Sequence, residues 1–160
     1  MVSTMPVFRY ATVRDLDAIE GLLAKSGLPV VGVREIVAAD PTGFVVAENP
    51  ADATDVVAVA GLEACCDNAL LRSVAVDPTW QRHGLGQELV RDVVSRAEAR
   101  GLRALYLLTM TAEHYFPRFG FERVERDRVP AEIAETAEFK DACPASATAM
   151  MCTLPAGKAS

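Results

Sequence analysis

Residues 70–100 read LLRSVAVDPTWQRHGLGQELVRDVVSRAEAR, and they determine how the rest of the chain is interpreted. Leu70–Val76 has the apolar, β-branched composition of a mostly buried strand. Asp77-Pro78 ends this strand, because proline has no amide hydrogen to donate to a sheet. The next segment repeats apolar residues every four positions, which predicts one face of a helix: Leu85, Leu89, Val93 and Ala97. Gly101 is placed to end that helix.

The segment between the strand and the helix has the features of a phosphate-binding loop and reads Gln81-Arg82-His83-Gly84-Leu85-Gly86. The first amides of a helix have no partners within it, and glycines allow an anion to approach them closely. A plain strand–turn–helix crossover with two incidental glycines is the alternative. A Rossmann loop is excluded because position 89 is leucine, and a P-loop because Gly86 is followed by Gln87.

The loop resembles the Gln/Arg-x-x-Gly-x-Gly/Ala motif of the GCN5-related N-acetyltransferases (GNAT family). The resemblance continues at Ala112–Phe121, which is similar to the family's Ala-x-x-Phe-Tyr-x-Lys-x-Gly-Phe segment, and at Tyr10–Leu16, which is similar to its first strand and helix. The match spans about residues 7–154.

The resemblance implies an α/β (α+β) fold with a single mixed, mostly antiparallel sheet of about six or seven strands. Helices are expected on both faces, and strands four and five should splay apart. Residues 1–160 are expected to form one acetyltransferase domain, with a core at 7–154 and a loose tail at 155–160.

The residue pattern predicts a series of elements along the chain. Strands are expected at Phe8–Ala11, Gly43–Ala47, Asp55–Leu62, Leu70–Val76, Arg103–Leu108, Phe121–Val124 and Ala147–Leu154. Helices are expected from about Arg14 to Gly27, over Val33–Ala39, from Leu85, over Ala112–Phe119, and from Pro130 to Cys143. Asn49–Thr54 is predicted to be a turn.

The composition is that of a globular protein, with 51% hydrophobic and 24% charged residues. The net charge of −6 argues against a nucleic-acid partner, which requires a basic surface. No apolar run approaches the ~20 residues of a membrane span, and the first residues lack the pattern of a signal peptide. A cytoplasmic protein is therefore expected, and a homodimer is a candidate assembly.

The four cysteines, Cys65, Cys66, Cys143 and Cys152, match no zinc-binding spacing, so no metal site is expected. In a reducing compartment they are predicted to be free thiols. Cys65-Cys66 could bind a soft ion such as trivalent arsenic, although two ordinary thiols at a strand end or turn are favoured.

The resemblance implies acetyl-CoA as cosubstrate and assigns its binding to two segments. The backbone of Val74 and Val76 would bond the pantetheine amides as an added strand would, and the amides near Ala75 and Val76 would polarise the thioester oxygen. The pyrophosphate would lie on the loop residues Gln81, Arg82, His83, Gly84, Leu85 and Gly86.

The acceptor side is less determined by the sequence. The resemblance implies that a carboxylate on the strand before the cofactor strand faces the acceptor, which makes Glu63 the leading candidate for the base that deprotonates an acceptor amine; an ordinary exposed strand end is the alternative. Arg72 could hold an anionic acceptor group or form an internal salt bridge, for example with Glu63. If the strand alternates regularly, Arg72 shares a face with Val74 and Val76, and Ser73 lies on the other.

The resemblance places Thr109 and Thr111 where the gap between strands meets the acceptor. Leu28–Val33 would form one wall of the acceptor site, or only connect two helices. Many family members protonate the departing thiolate with a tyrosine that corresponds here to Phe116. Because the tyrosine of this chain is Tyr115, one residue earlier on a predicted helix, it is expected to face elsewhere.

The C-terminal segment Glu138–Ala147, with Gly61–Glu63, Leu71–Ser73 and Leu107–Thr109, resembles the small acetyltransferases associated with arsenic-resistance operons. The sequence therefore predicts an N-acetyltransferase that moves an acetyl group from acetyl-CoA to a small-molecule amine by direct attack, with a link to arsenic resistance. The alternative is a non-catalytic module that binds acetyl-CoA or senses arsenicals.

Overall fold

The computed structural model describes residues 6–142 and 146–155, with side chains except at 82, 83, 141 and 142. The predicted tail lies outside the described residues from position 156 onward. Within the described part, seven strands form one sheet: β1 (Val7–Tyr10), β2 (Phe44–Asn49), β3 (Asp52–Cys65), β4 (Asn68–Val76), β5 (Ala104–Thr109), β6 (Glu122–Arg123) and β7 (Thr148–Thr153). They lie in the order β1-β2-β3-β4-β5-β7-β6.

The sheet is antiparallel except for one pair of neighbours, β4 and β5, which run parallel. Their pairing covers Asn68–Leu70 on β4 and Ala104–Tyr106 on β5. Beyond this point the two strands have no register pairs, so the sheet opens at its centre. The predicted fold class, including the splayed fourth and fifth strands, is confirmed.

Helices cover both faces of the sheet. In the described part, the α-helices are α1 (Leu16–Lys25), α2 (Val33–Ala39), α3 (Leu85–Ala99) and α4 (Ala131–Ala134). The predicted apolar face of α3 is fully buried against one face of the sheet, together with Leu105 and Met150. On the opposite face, α1 and α2 pack against β2 and β3, while α4 packs beside them against β4 and β5.

Two predicted helices are much shorter in the structure than the sequence suggested. Ala112–Phe119 contains only a 3₁₀ turn at Phe116–Phe119, because Pro117 cannot supply the amide that a longer helix requires. After Pro130, α4 has a single turn, and a separate π-helical turn follows at Glu138–Ala142. The Thr136 hydroxyl donates to the carbonyl of Ile133 and accepts from the amide of Phe139, which interrupts the α-helical ladder.

Several strand boundaries differ from the prediction. β2 continues to Asn49 and β3 already begins at Asp52, so the predicted polar turn is reduced to the tip of a hairpin. β3 continues to Cys65, because it pairs with β4 almost to the next turn. β6 has only two residues. No helix in the described part is long and apolar enough to cross a membrane.

Candidate active site

A cleft of about 880 Å³ lies where β4 and β5 separate. One wall is the segment between α1 and α2, including Leu28 and Pro29. The other walls come from β4, from the end of β5 with the residues after it, and from the C-terminal segment: Leu71–Val76, Gln81, Leu107–Ala112, Tyr115, Phe116, Glu138 and Ala147. The predicted cofactor and acceptor residues on β4 and after β5 therefore share one cavity.

A β-bulge in β4 corrects the predicted alternation of this strand. Ala75 pairs with Val59 and Arg72 with Gly61, so Ser73 and Val74 stand opposite Ala60 alone. Ser73 accordingly has φ +60°, a conformation that side chains rarely adopt.

The extra residue reverses the faces on either side of the bulge. Val74 and Val76 pack against the α3 side of the sheet, as Leu71 does, whereas Arg72 points to the opposite face. The prediction that Arg72 shares a face with Val74 and Val76 is therefore wrong.

The loop before α3 adjoins the cleft, because a Cβ at Gly86 would lie within 4 Å of Val76 and Tyr115, which both line it. Gly84 has φ +70° and forms the N-cap of α3, a conformation that glycine adopts without strain. The side chain of Leu85 is buried in the core, so only its backbone is available to a ligand. Gln81 lines the cleft and donates its side-chain amide to the carbonyl of Val76 at 3.1 Å. The side chains of Arg82 and His83 lie outside the described residues.

Arg72 is the centre of a buried group of charges. Its guanidinium Nη1 donates to Glu63 Oε1 at 3.2 Å, and its Nε lies 3.5 Å from Glu138 Oε1. Nε also donates to Ser73 Oγ at 3.0 Å, and Nη2 donates to the carbonyl of Val31. The Arg72 side chain has no exposed surface. The predicted internal salt bridge with Glu63 is thus present.

Glu138 completes this group and was not singled out from the sequence. Its side chain is 6% exposed and lines the cleft, whereas that of Glu63 is 26% exposed and lies outside the cleft lining. Burial raises the pKa of the Glu138 carboxyl; Arg72 partly offsets the rise and Glu63 adds to it. Nothing local in the sequence distinguishes this glutamate, because its environment is created by β4, a strand more than sixty positions earlier.

Thr109, the last residue of β5, and Thr111 both line the cleft. Thr109 accepts a hydrogen bond from the amide of Ala112 at 2.9 Å, which fixes its hydroxyl oxygen. Tyr115 lines the cleft as well, and its ring packs edge-on against Phe116 and Phe119. Its hydroxyl lies 3.6 Å from where a Cβ at Gly86 would be, and burial raises the pKa of the phenol.

The three described cysteines do not line the cleft. Cys65 and Cys66 are exposed at the β3–β4 hairpin with their sulfurs 3.6 Å apart, and Cys152 is buried. Cys143 lies outside the described residues. The described residues contain no cluster of three or more metal-ligating side chains.

Comparison with known proteins gives one consistent set of relatives. A model of the acetyltransferase (GNAT) domain family matches residues 40–123. The amino-acid acetyltransferase of Pseudomonas syringae pv. tomato is 31% identical over 137 residues, which are 82% of this chain and 31% of that protein. The chain therefore spans about a third of the length of the curated relatives that it matches.

Solved structures agree in fold. Rv2747 from Mycobacterium tuberculosis, in complex with CoA and NLQ, is 27% identical, with a TM-score of 0.77 over 94% of this chain and 100% of that one. N-acetylglutamate synthase from Neisseria gonorrhoeae, complexed with coenzyme A and N-acetyl-glutamate, also has a TM-score of 0.77. That match covers 96% of this chain and 36% of the synthase; at 21% identity it concerns the fold alone.

Proposed function

Because the chain belongs to the GNAT acetyltransferase family, we propose that it transfers the acetyl group of acetyl-CoA to the primary amine of a small molecule, an amino acid or a close analogue. The observation that carries this proposal is the cleft between β4 and β5, whose lining includes the unpaired part of β4, Gln81 from the loop before α3 and the buried carboxylate of Glu138. The names of the curated relatives support an amino-acid acceptor.

In this proposal, acetyl-CoA lies along the unpaired edge of β4. Val74 and Val76 bond the pantetheine through their backbones, and the amides at Ala75 and Val76 polarise the thioester carbonyl. The backbone of Gly84, Leu85 and Gly86 receives the pyrophosphate at the positive end of α3. Gln81, Arg82 and His83 add side-chain donors. The thioester is thereby oriented across the cleft.

The acceptor amine attacks the thioester directly, because holding two reactants in place can supply ~7–11 kcal/mol without a covalent intermediate. Ser73 and Thr111 contact the acceptor, and Thr109 returns a proton to the departing thiolate. A carboxylate of the group formed by Glu63, Arg72 and Glu138 removes the proton from the acceptor ammonium. Arg72 holds these carboxylates in place and does not bind the acceptor, because its buried N–H groups already have partners within the protein.

The acceptor is identified by release of free thiol from acetyl-CoA across a panel of amines. We expect turnover with one class of amino acid and none with its N-acetylated form, which lacks the nucleophile. Acidic, neutral and basic amino acids belong in the panel. Binding of CoA in calorimetry without turnover on any amine would favour the non-catalytic sensing module instead.

The link to arsenic resistance is a finer part of the proposal and rests on the C-terminal resemblance, of which residues 143–145 lie outside the described part. The names of the relatives reported above do not refer to arsenic. Amino acids that carry arsenic therefore belong in the same panel. A rate no higher than that of their arsenic-free analogues would remove this part of the proposal.

Tyr115→Phe is expected to keep the maximal rate within about tenfold, against the ~10²–10⁴ loss typical of removing a general acid. The Tyr115 hydroxyl lies beside the start of α3, and a thiol of pKa ~8.5 leaves readily as an anion near neutral pH. The measurement is the pH–rate profile. A thousandfold drop in the folded variant, with loss of the alkaline limb, would instead identify Tyr115 as the acid.

A further inference from the structure

We infer that Glu138 is the catalytic base that takes the proton from the acceptor ammonium, and that Arg72 and Glu63 are the residues that position it. This inference rests on the proposed function, because it assigns one residue to the reaction of the acceptor. It also revises the sequence-based prediction, in which Glu63 was the leading candidate.

The first reason is access. Among the described residues, Glu138 lines the cleft between β4 and β5, and Glu63 does not. Within the described part of the chain, the Glu138 carboxylate contacts Arg72 Nε at 3.5 Å, longer than the ~2.7–2.9 Å of a strong charge-assisted hydrogen bond. The carboxylate therefore has lone pairs available for an N–H group that enters the cleft. A cationic ammonium is the complementary occupant of this buried anionic site.

The second reason is the difference between the two carboxylates. Glu63 is 26% exposed and accepts a hydrogen bond from Arg72 Nη1 at 3.2 Å, so one of its oxygens is already engaged by the guanidinium. Glu138 is almost completely buried, and burial raises the pKa of its carboxyl. A base with a pKa closer to the working pH transfers protons more effectively, and two carboxylates in contrasting environments often divide such roles.

The third reason is the rigidity of the segment that carries Glu138. It begins the π-helical turn Glu138–Ala142, a type of turn that often occurs at functional sites. The neighbouring Phe139 is buried, and the guanidinium of Arg126 stacks on its ring at 5.4 Å. The Thr136 hydroxyl accepts from the Phe139 amide. The carboxylate is therefore held at the cleft from one side by this turn and from the other by Arg72.

The proton balance of the reaction is complete without a further group. The ammonium gives one proton to Glu138, and the free nitrogen forms a bond to the thioester carbon, whose π electrons move to the oxygen. The C–S bond then breaks with its electron pair on sulfur, the nitrogen loses its second proton, and the thiolate takes up one proton. Glu138 passes its proton to solvent, so each turnover releases one proton, one amide and CoA.

The test is the pH dependence of Glu138→Gln with the acceptor found in the amine panel. We expect kcat/KM near pH 7 to fall by about 10²–10⁴. The loss should shrink as the pH approaches the pKa of the acceptor ammonium, because an amine that is already neutral needs no base. For the same reason, a second acceptor with a lower ammonium pKa should show a smaller loss at the same pH.

Two variants serve as comparisons. Glu135→Gln makes the same change three residues earlier, at an exposed carboxylate paired with Lys140, and should keep wild-type kinetics. Glu63→Gln should lower the rate less and keep the wild-type pH profile. A loss in Glu138→Gln that is equal at every pH would indicate a structural role and overturn the inference. A pH-dependent loss in Glu63→Gln alone would overturn it as well.

Folding of each variant is checked by its affinity for CoA in calorimetry. Should Glu138→Gln lose that affinity, Glu138→Asp decides, because it keeps a carboxylate but withdraws it from the acceptor. We expect Glu138→Asp to lose about tenfold or more in rate with a shifted acid limb, and an unchanged profile would overturn the inference. A wild-type protein that turns over no amine would overturn the proposed function itself, whereas an active wild type with a fully active Glu138→Gln would overturn only this assignment.

Discussion

Gly86→Glu is expected to abolish measurable binding of CoA while the far-UV circular dichroism stays unchanged. A Cβ at position 86 would lie 3.4 Å from Val76 Cγ2 and 3.6 Å from the Tyr115 hydroxyl, and both residues line the cleft, so a glutamate here would lie beside the cleft. There it would occupy the space that we propose for the pyrophosphate and bring a negative charge to the positive end of α3. We expect affinity in calorimetry to fall by roughly a hundredfold or more, or about 3 kcal/mol.

Two matched variants separate this effect from a general loss of stability. Gly86→Ala adds only the Cβ, for which the structure has ordinary contact distances, so CoA binding should be largely kept. Gly21→Glu makes the same change on the exposed surface of α1, where nothing lies within 4 Å of the added atom. It should leave CoA binding unchanged. Normal affinity in Gly86→Glu would remove the basis for placing the cofactor at this loop.

The sequence predicted those parts of the fold that depend on local periodicity. The four-residue repeat of α3 is buried as expected, because a helix with a single apolar face packs that face against the core. The start of this helix at Leu85 and the end of the preceding strand at Val76 were predicted correctly for similarly local reasons. The separation of β4 and β5 was predicted from the family resemblance, since strand composition alone does not reveal which neighbours pair.

The face that Arg72 occupies could not be predicted, because a single bulge residue inverts the alternation that follows it. Ser73 is not a residue type that signals φ +60°, so the pattern gave no indication of the bulge. Only the pairing with β3 reveals it, and this pairing depends on residues in another strand. The same limit applies to Glu138, whose burial and charge partner come from β4. Candidate residues on the cofactor side, by contrast, were adjacent in sequence and could be found together.

Arg72→Ala is expected to destabilise the protein by about 3–5 kcal/mol, the usual cost of leaving buried charge without its partner. The variant removes the guanidinium that contacts both Glu63 and Glu138 and that donates to the backbone of Val31. For a chain of this size, each kcal/mol corresponds to roughly 2–4 °C in melting temperature. Arg34→Ala is the control, because Arg34 also pairs with two carboxylates but its side chain is 52% exposed. That change should leave the stability close to that of the wild type, because exposed ion pairs are screened by solvent.

The pH dependence of this destabilisation identifies its cause. Burial raises the pKa of the Glu138 carboxyl above its ordinary value, and Arg72 partly offsets this rise. Removing Arg72 therefore raises the pKa of Glu138 further. A carboxyl with a raised pKa in the folded state binds a proton more tightly there than in the unfolded chain. The protonated carboxyl therefore stabilises the folded state fully at low pH. This contribution to the free energy of unfolding is lost as the pH rises through the folded-state pKa. The stability deficit of Arg72→Ala should therefore be smaller near pH 5 than near pH 8.

Combining Arg72→Ala with Glu138→Gln should recover part of the lost stability at the higher pH, since the uncompensated carboxylate is then absent. Urea unfolding at both pH values measures all three variants. If Arg72→Ala instead melts like Arg34→Ala and raises only the Michaelis constant of the acceptor, then Arg72 holds an anionic group of the substrate. In that case Arg72 would contact both Glu63 and Glu138 only before the acceptor binds. A carboxylate of the acceptor would then take the place of one of these two carboxylates beside Arg72.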